Sequence, residues 1–172
     1  MKSIYIFLAS VLSFPALADE ITVTMREALP TGHGRTLGVV TISETPAGLK
    51  FTPRLSGLRP GAHGFHIHEN GNCAPGMENG VTVAALAAGG HYDPDHTGRH
   101  LGPKGAGHRG DLPALVADRR GNAARAVVAP RLKSLREIEA RALVIHVGGD
   151  NGSDRPKPLG GGGARLACGV IL

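Results

Sequence analysis

Tryptophan is absent, and only two tyrosines and four phenylalanines stand among 172 residues. A core without large rings must close over small and branched aliphatic side chains. Charged residues make up 19% of the chain, below the roughly 25% of ordinary domains, and no block of one sign occurs. Lys and Arg are scattered, and the one dense stretch, Lys133 to Arg141, interleaves them with glutamate. The net charge of +5 is therefore not gathered into the basic stripe of a nucleic-acid surface, and no nucleic-acid partner is expected. No apolar run reaches the about 20 residues needed to span a bilayer. Repeats are also missing: the glycines follow no G-x-y period, which excludes collagen.

Glycine is what the chain has in plenty, 26 residues with 12 prolines beside them, about twice the usual glycine share of roughly 7%. Such a chain turns often, which argues against a helical bundle. Its length suits one domain with its own core.

The start reads as an address. Lys2 is the only charge before Asp19, an apolar run follows from Ile4 to Leu12, and Ala16-Leu17-Ala18 puts small residues at the −3 and −1 positions. This is the pattern of a secretory signal peptide over residues 1–18, leaving a domain over 19–172 that is exported to the bacterial periplasm and not bound to the membrane. Export bears on the two cysteines, Cys73 and Cys168. Neither has a second cysteine nearby, as a thiolate metal site would want, and an even count in an oxidising compartment favours a disulfide. Closing so long a loop is worth about 4 to 5 kcal/mol in the chain-entropy model.

Period-two alternation begins at once, with Ile21, Val23 and Met25 set against Thr22, Thr24 and Arg26. Similar stretches at 35–43, 49–55, 64–69, 114–117, 123–128, 142–147 and 167–171 bring the expected total to eight strands. Turn residues such as Thr45-Pro46-Ala47-Gly48 separate them, so an antiparallel β-sandwich or barrel is expected. Leu132, Leu135 and Ile138, three apart, fit one short helix as well as a loop. Two stretches resist strand assignment, Asn70 to Asp111 and Gly148 to Gly163. Long irregular segments in a compact domain are commonly functional.

The histidines gather there and beside there. His66 and His68 sit two apart in Gly64-Phe65-His66-Ile67-His68, so a strand puts both imidazoles on one face and Phe65 and Ile67 on the core face. His91, His100 and His108 fall in the first long loop with Asp111 three residues on, and His146 ends the apolar run Leu143-Val144-Ile145. Six imidazoles and a carboxylate exceed what one tetrahedral ion needs: three nitrogens and a carboxylate suit Zn²⁺, an all-imidazole set with an open position suits Cu²⁺. His33 and His96 read as surface residues, and His63 as a local hydrogen-bonding group.

Gly64-Phe65-His66-Ile67-His68-Glu69, Gly89-Gly90-His91, Gly107-His108-Arg109-Gly110-Asp111 and Gly163-Ala164-Arg165-Leu166-Ala167-Cys168-Gly169-Val170-Ile171 together resemble the copper,zinc superoxide dismutases. The short loop from Gly148 to Gly163 is similar to that of the bacterial periplasmic branch. The resemblance runs over essentially all of residues 19–172. It implies an eight-stranded Greek-key barrel with two long functional loops. It implies copper held by His66, His68, His91 and His146, and zinc held by His91, His100, His108 and Asp111, with His91 bridging. Asp150 is implied as the carboxylate that links a copper ligand to a zinc ligand. Arg165 is implied as the cation beside copper, and Cys73–Cys168 as the family disulfide. One departure stands out: Ala140 occupies a position where the family pattern has glycine, which leaves its turn conformation open.

The implied reaction turns two superoxide anions into dioxygen and hydrogen peroxide, with copper changing redox state and zinc not. His91 and Arg165 are the residues implied to act in it, His91 on the proton and Arg165 on the anion. Arg99, Lys104, Arg109, Arg155 and Lys157 are candidates for a rim that steers the anion inward. A copper-buffering or copper-delivery protein without turnover, and a zinc-stabilised binding module, are readings from other classes. Arg165 argues against storage, which has no use for an anion-binding cation. Both a monomer and a homodimer fit.

Overall fold

The computed structural model describes residues 19–172, so the expected signal segment lies outside the described residues. Strands β1 (Glu20–Leu29), β2 (Gly32–Thr45) and β3 (Gly48–Leu55) form a meander. There follow β4 (Gly61–His63), β5 (Phe65–His68), β6 (Gly76–Glu78), β7 (Val81–Val83), β8 (Leu115–Ala117), β9 (Val127–Ala129), β10 (Ala142–His146) and β11 (Arg165–Val170). Seven of them make one curled antiparallel sheet in the order β5-β10-β11-β1-β2-β3-β9, while β4 pairs with β8 and β6 with β7. The non-sequential neighbours β5, β10, β11 and β1 are the crossovers of a Greek key.

The expected eight strands thus become eleven shorter ones. The stretch expected at 64–69 is β5 alone, because Gly64 breaks the run from β4. The stretch at 123–128 shrinks to β9, with Ala123 making a single bridge to Leu55. β6 and β7 are a small hairpin inside the first long loop. The short helix is one 3₁₀ turn, Leu135–Glu137. Ser134 caps it: its hydroxyl accepts from the Arg136 N–H, while Glu137 reaches back to the Ser134 N–H at 2.9 Å. Leu132, Leu135 and Ile138 all point into the core.

Aliphatic side chains from both sides of the curled sheet fill that core around one aromatic contact, Phe51 edge-on to Phe65 with centroids 5.7 Å apart. At the bulge of β2, Gly38 has φ +134, and a Cβ there would run into the Arg54 carbonyl. Cys73 and Cys168 are joined in a disulfide with Cα atoms 5.8 Å apart, tying the first long loop to β11. Ala140 sits at φ +56, so the open question at that turn resolves to a left-handed conformation that alanine adopts only under constraint. No helix among the described residues is long and apolar enough to cross a membrane.

Candidate metal centre

β5 and β10 lie side by side at one end of the sheet, with His66 opposite Val144 and His68 opposite Ala142. Alternation works as the spacing predicts: Phe65 and Ile67 enter the core, and His66 and His68 share the other face. That face is not left to water. The first long loop returns along β5, with the Ile67 N–H donating to the Gly110 carbonyl and the Tyr92 N–H donating to the Ile67 carbonyl. This brings His91 beside His68 and Asp111 beside His66. His66, His68, His91, His100, His108, Asp111 and His146 are all buried.

Four of the rings are fixed by the nitrogen that faces away from the cluster. His68 Nδ1 donates to the Gly89 carbonyl at 2.8 Å, and His146 Nδ1 to the Gly163 carbonyl at 2.9 Å. His66 Nε2 and His100 Nε2 take the two oxygens of Asp150, at 2.7 and 2.8 Å. Such outer partners set tautomer and ring orientation. Gly160, at φ +70, lets its backbone lie on Asp150 and His100, where a Cβ would collide with both. The inward nitrogens His66 Nδ1, His91 Nε2, His100 Nδ1 and His108 Nδ1 are buried with no hydrogen-bond partner. Buried polar atoms are rarely left so without an ion or a function.

Two groupings result. His66, His68, His91 and His146 bring one ligand atom each within 4.8 Å of one another, and His66, His91, His100 and Asp111 do the same. His66 in the second group and the absence of His108 from it both depart from the expected zinc set. His66 Nε2 meets Asp150. Asp111 Oδ1 meanwhile lies 3.0 Å from His91 Nδ1, 2.9 Å from His100 Nδ1 and 3.3 Å from His108 Nδ1. His66 and His91 are common to both groups, and His91 turns Nδ1 to Asp111 while its Nε2 is left without a partner.

The electrostatics separate the halves. Burial lowers the pKa of His66 to about 3 and of His146 to about 4, and holds His68 well below the usual imidazole range; neighbouring rings add to it. These rings stay neutral, as ligation requires. Burial also lowers His91, against the pull of Asp111. His100 goes the other way: burial disfavours its charge, but Asp111 and Asp150 on either side overcome that and raise its pKa to about 9. Both carboxylates, despite burial, are held well below the usual range by the histidines they touch. One half is an all-imidazole, uncharged pocket and the other carries an anion. A soft-to-borderline copper ion and a zinc ion fit these two donor sets respectively.

Arg165 opens β11 opposite His146. Its Nη1 donates to the Ala85 carbonyl at 3.0 Å and its Nη2 to the Gly89 carbonyl at 2.7 Å. A cavity of about 200 Å³ reaches His68, His91 and His146 past Arg165, Glu78 and Leu159. None of Arg99, Lys104, Arg109, Arg155 and Lys157 lines it. Arg109 is instead paired with Asp95 at 2.9 Å and Glu137 at 3.4 Å, bracing the loop.

The pattern of the family described as Copper/zinc superoxide dismutase (SODC) matches residues 36–171. The chain belongs to that family. It is 60% identical over 172 residues to a "Superoxide dismutase [Cu-Zn]" of Brucella abortus, with 99% of each chain covered. The solved Cu/Zn superoxide dismutase from Brucella abortus has a TM-score of 0.89 at 60% identity, over 90% of this chain and 100% of that one. The monomeric copper, zinc superoxide dismutase from Salmonella enterica has a TM-score of 0.81 at 58% identity, over 90% of this chain and 100% of that one.

Three side chains around this site go beyond what the sequence indicates. His63 is buried, with Nδ1 2.8 Å from the His146 carbonyl and Nε2 2.8 Å from the Arg59 carbonyl, so it spans more than its own turn. Asp154 accepts from the His100 N–H at 2.9 Å and from the Leu159 N–H at 3.1 Å, linking the two long loops. Glu78 stands at the cavity mouth. Only Glu78 had a local signal, the Asn79-Gly80 pair that makes a tight hairpin.

Proposed function

We propose that His66 Nδ1 and the Nε2 atoms of His68, His91 and His146 hold copper, and that Asp111 Oδ1 and the Nδ1 atoms of His91, His100 and His108 hold zinc. The observation that carries this is the set of four buried, unpartnered imidazole nitrogens turned inward while the opposite ring nitrogens of His66 and His100 are anchored to the Asp150 carboxylate. As a member of its family the chain is an oxidoreductase that dismutates superoxide, with copper and zinc as cofactors. Copper supplies the one-electron exchange with each of two superoxide anions, and zinc supplies a fixed charge.

The chain's own groups supply the rest. Arg165 keeps a positive charge at the cavity and can hold an anion by charge-assisted hydrogen bonds, because two carbonyls fix its guanidinium. His91 can keep Nδ1 toward Asp111 while Nε2 takes up a proton and yields it to the peroxide that leaves. Asp150 holds the His66 and His100 rings in register by one carboxylate. A fixed cation beside the all-imidazole pocket favours turnover over copper storage.

Export belongs to the same reading: residues 1–18 are a signal peptide cleaved after Ala18, and residues 19–172 act in the periplasm as a monomer. The signal pattern supports the first statement, and the Salmonella enterica relative, described as monomeric, supports the last. Metal analysis, activity assay, intact mass and sedimentation of the protein purified from periplasm test it. One copper and one zinc per chain, superoxide-dependent turnover, Asp19 as first residue and a monomer mass are expected. An active chain retaining Met1, or a chain binding copper without turnover, contradicts the corresponding part.

A further inference from the structure

His91 differs from the four rings that carry an outer anchor. Its Nδ1 lies 3.0 Å from Asp111 and its buried Nε2 has no partner, so both nitrogens face ligand groups. A ring so used has no nitrogen left for a carbonyl or carboxylate behind it, the device that orients His66, His68, His100 and His146. Its place must come from the residues on either side. The Gly90 carbonyl accepts from the Glu69 N–H at 3.0 Å, and the Tyr92 N–H donates to the Ile67 carbonyl at 2.8 Å. His91 is thus strung between two ties to the end of β5. Tyr92 packs its ring on the core, and the Arg141 guanidinium lies 3.7 Å from that ring's centroid. The same guanidinium donates through Nη1 to the Glu69 carbonyl at 2.8 Å and through Nε to the Glu137 carbonyl at 3.2 Å.

We infer that Arg141 is a positioning residue for the His91 imidazole, acting through the ring of Tyr92. Glu69 follows His68, Tyr92 follows His91, and Arg141 leads into the strand that ends at His146. One half-buried side chain therefore joins three segments that each carry a proposed copper ligand. Arginine suits the task because its plane can stack on an aromatic face while its edge donates to carbonyls. The two carbonyls fix the plane, and the stacked ring is then held against sliding along it. Partial burial strengthens the contact between cation and ring. Lateral freedom in Tyr92 would pass through one peptide to an imidazole that has no anchor of its own.

The inference rests on His91 standing between the two metals, and its test separates the two statements. The copper- and zinc-loaded protein is compared with Tyr92→Phe, Tyr92→Leu, Arg141→Met and the double variant Arg141→Met/Tyr92→Leu, each at a temperature where circular dichroism shows it folded. The first readout is the Cu²⁺ electron paramagnetic resonance spectrum before and after zinc is removed, because a shared imidazole lets copper report the presence of zinc. The second is kcat/KM for superoxide at matched metal content. The zinc-dependent spectral shift is expected in the parent and in Tyr92→Phe, which keeps the aromatic face. It should shrink in Arg141→Met and Tyr92→Leu, with kcat/KM down about tenfold, within the roughly 10²-fold that a 1 Å misplacement can cost. The double variant should lose no more than the worse single one, since both remove the same clamp. An undiminished shift in Arg141→Met, or losses that add in the double variant, overturns the clamp and leaves the shared ligand standing. No zinc-dependent shift in the parent removes the shared ligand, and the positioning role falls with it.

Discussion

Arg165 and His68 share one acceptor, the carbonyl of Gly89, at 2.7 Å from the guanidinium and 2.8 Å from the imidazole. The cation proposed to meet the substrate is thereby set at a constant place relative to a proposed copper ligand. Gly89, at φ +77, lies under both. Aim and ligation come from the same peptide group.

That coupling gives a charge-reversal experiment. Arg165→Glu should leave the fold and both metals in place, since the ligand rings keep their other anchors, yet cut activity at least tenfold. Raising ionic strength should slow the reversed protein less than the parent, or speed it, because its local repulsion is screened too. Equal activity at equal metal content contradicts the role of Arg165.

Asp111→Ala removes the anion that stands within 3.3 Å of three imidazoles. Zinc should be lost before copper, because the all-imidazole group does not depend on this carboxylate. Metal analysis after dialysis against a weak chelator reads it, and full zinc retention contradicts the assignment.

The two kinds of histidine predict a stability maximum in the metal-free protein. Burial lowers His66 to about 3 and His146 to about 4 from an ordinary 6.5. Below about 6.5 the unfolded chain binds protons that the folded chain refuses, so stability falls as pH drops from there toward 3. His100, raised to about 9, has the opposite sign: its contribution is complete below about 6.5 and is lost as pH rises through 9. The thermal midpoint of chelator-treated protein should therefore peak near neutrality and decline on both sides. A midpoint unchanged between pH 6.5 and 4 contradicts the burial of neutral imidazoles.

Ala140 pays for a left-handed backbone at φ +56 with a Cβ that glycine lacks. Its N–H donates to the Ile171 carbonyl at 3.0 Å, which holds it there. Ala140→Gly should stabilise the folded chain by about 1 kcal/mol, by release of that strain. Denaturant midpoints measure it, and a loss of stability contradicts the strain.

Much of the centre was legible because its spacing is local. His66 and His68 declare a shared face through strand alternation alone, and Phe65 and Ile67 declare the core between them. Cys73 and Cys168 were readable from number and compartment. The rest depends on contacts that no local pattern encodes. His63 earns its burial from the carbonyl of His146, far along the chain. Glu78 reaches the copper-side cavity only because the long loop folds its hairpin there. The stretch at 123–128 is shorter as a strand than its alternation suggests, because only Val127–Ala129 and the single bridge at Ala123 pair with β3.

Asp154 gives one oxygen to the His100 peptide and the other to the Leu159 peptide. Leu159, held at φ +53, is part of the doorway to the copper-side pocket. A single carboxylate therefore acts as a rivet through two overlapping plates. Slack in the plate that carries His100 becomes slack in the lintel above the neighbouring pocket, one side chain away. An ion held beside Asp111 would tighten the frame around the pocket next door.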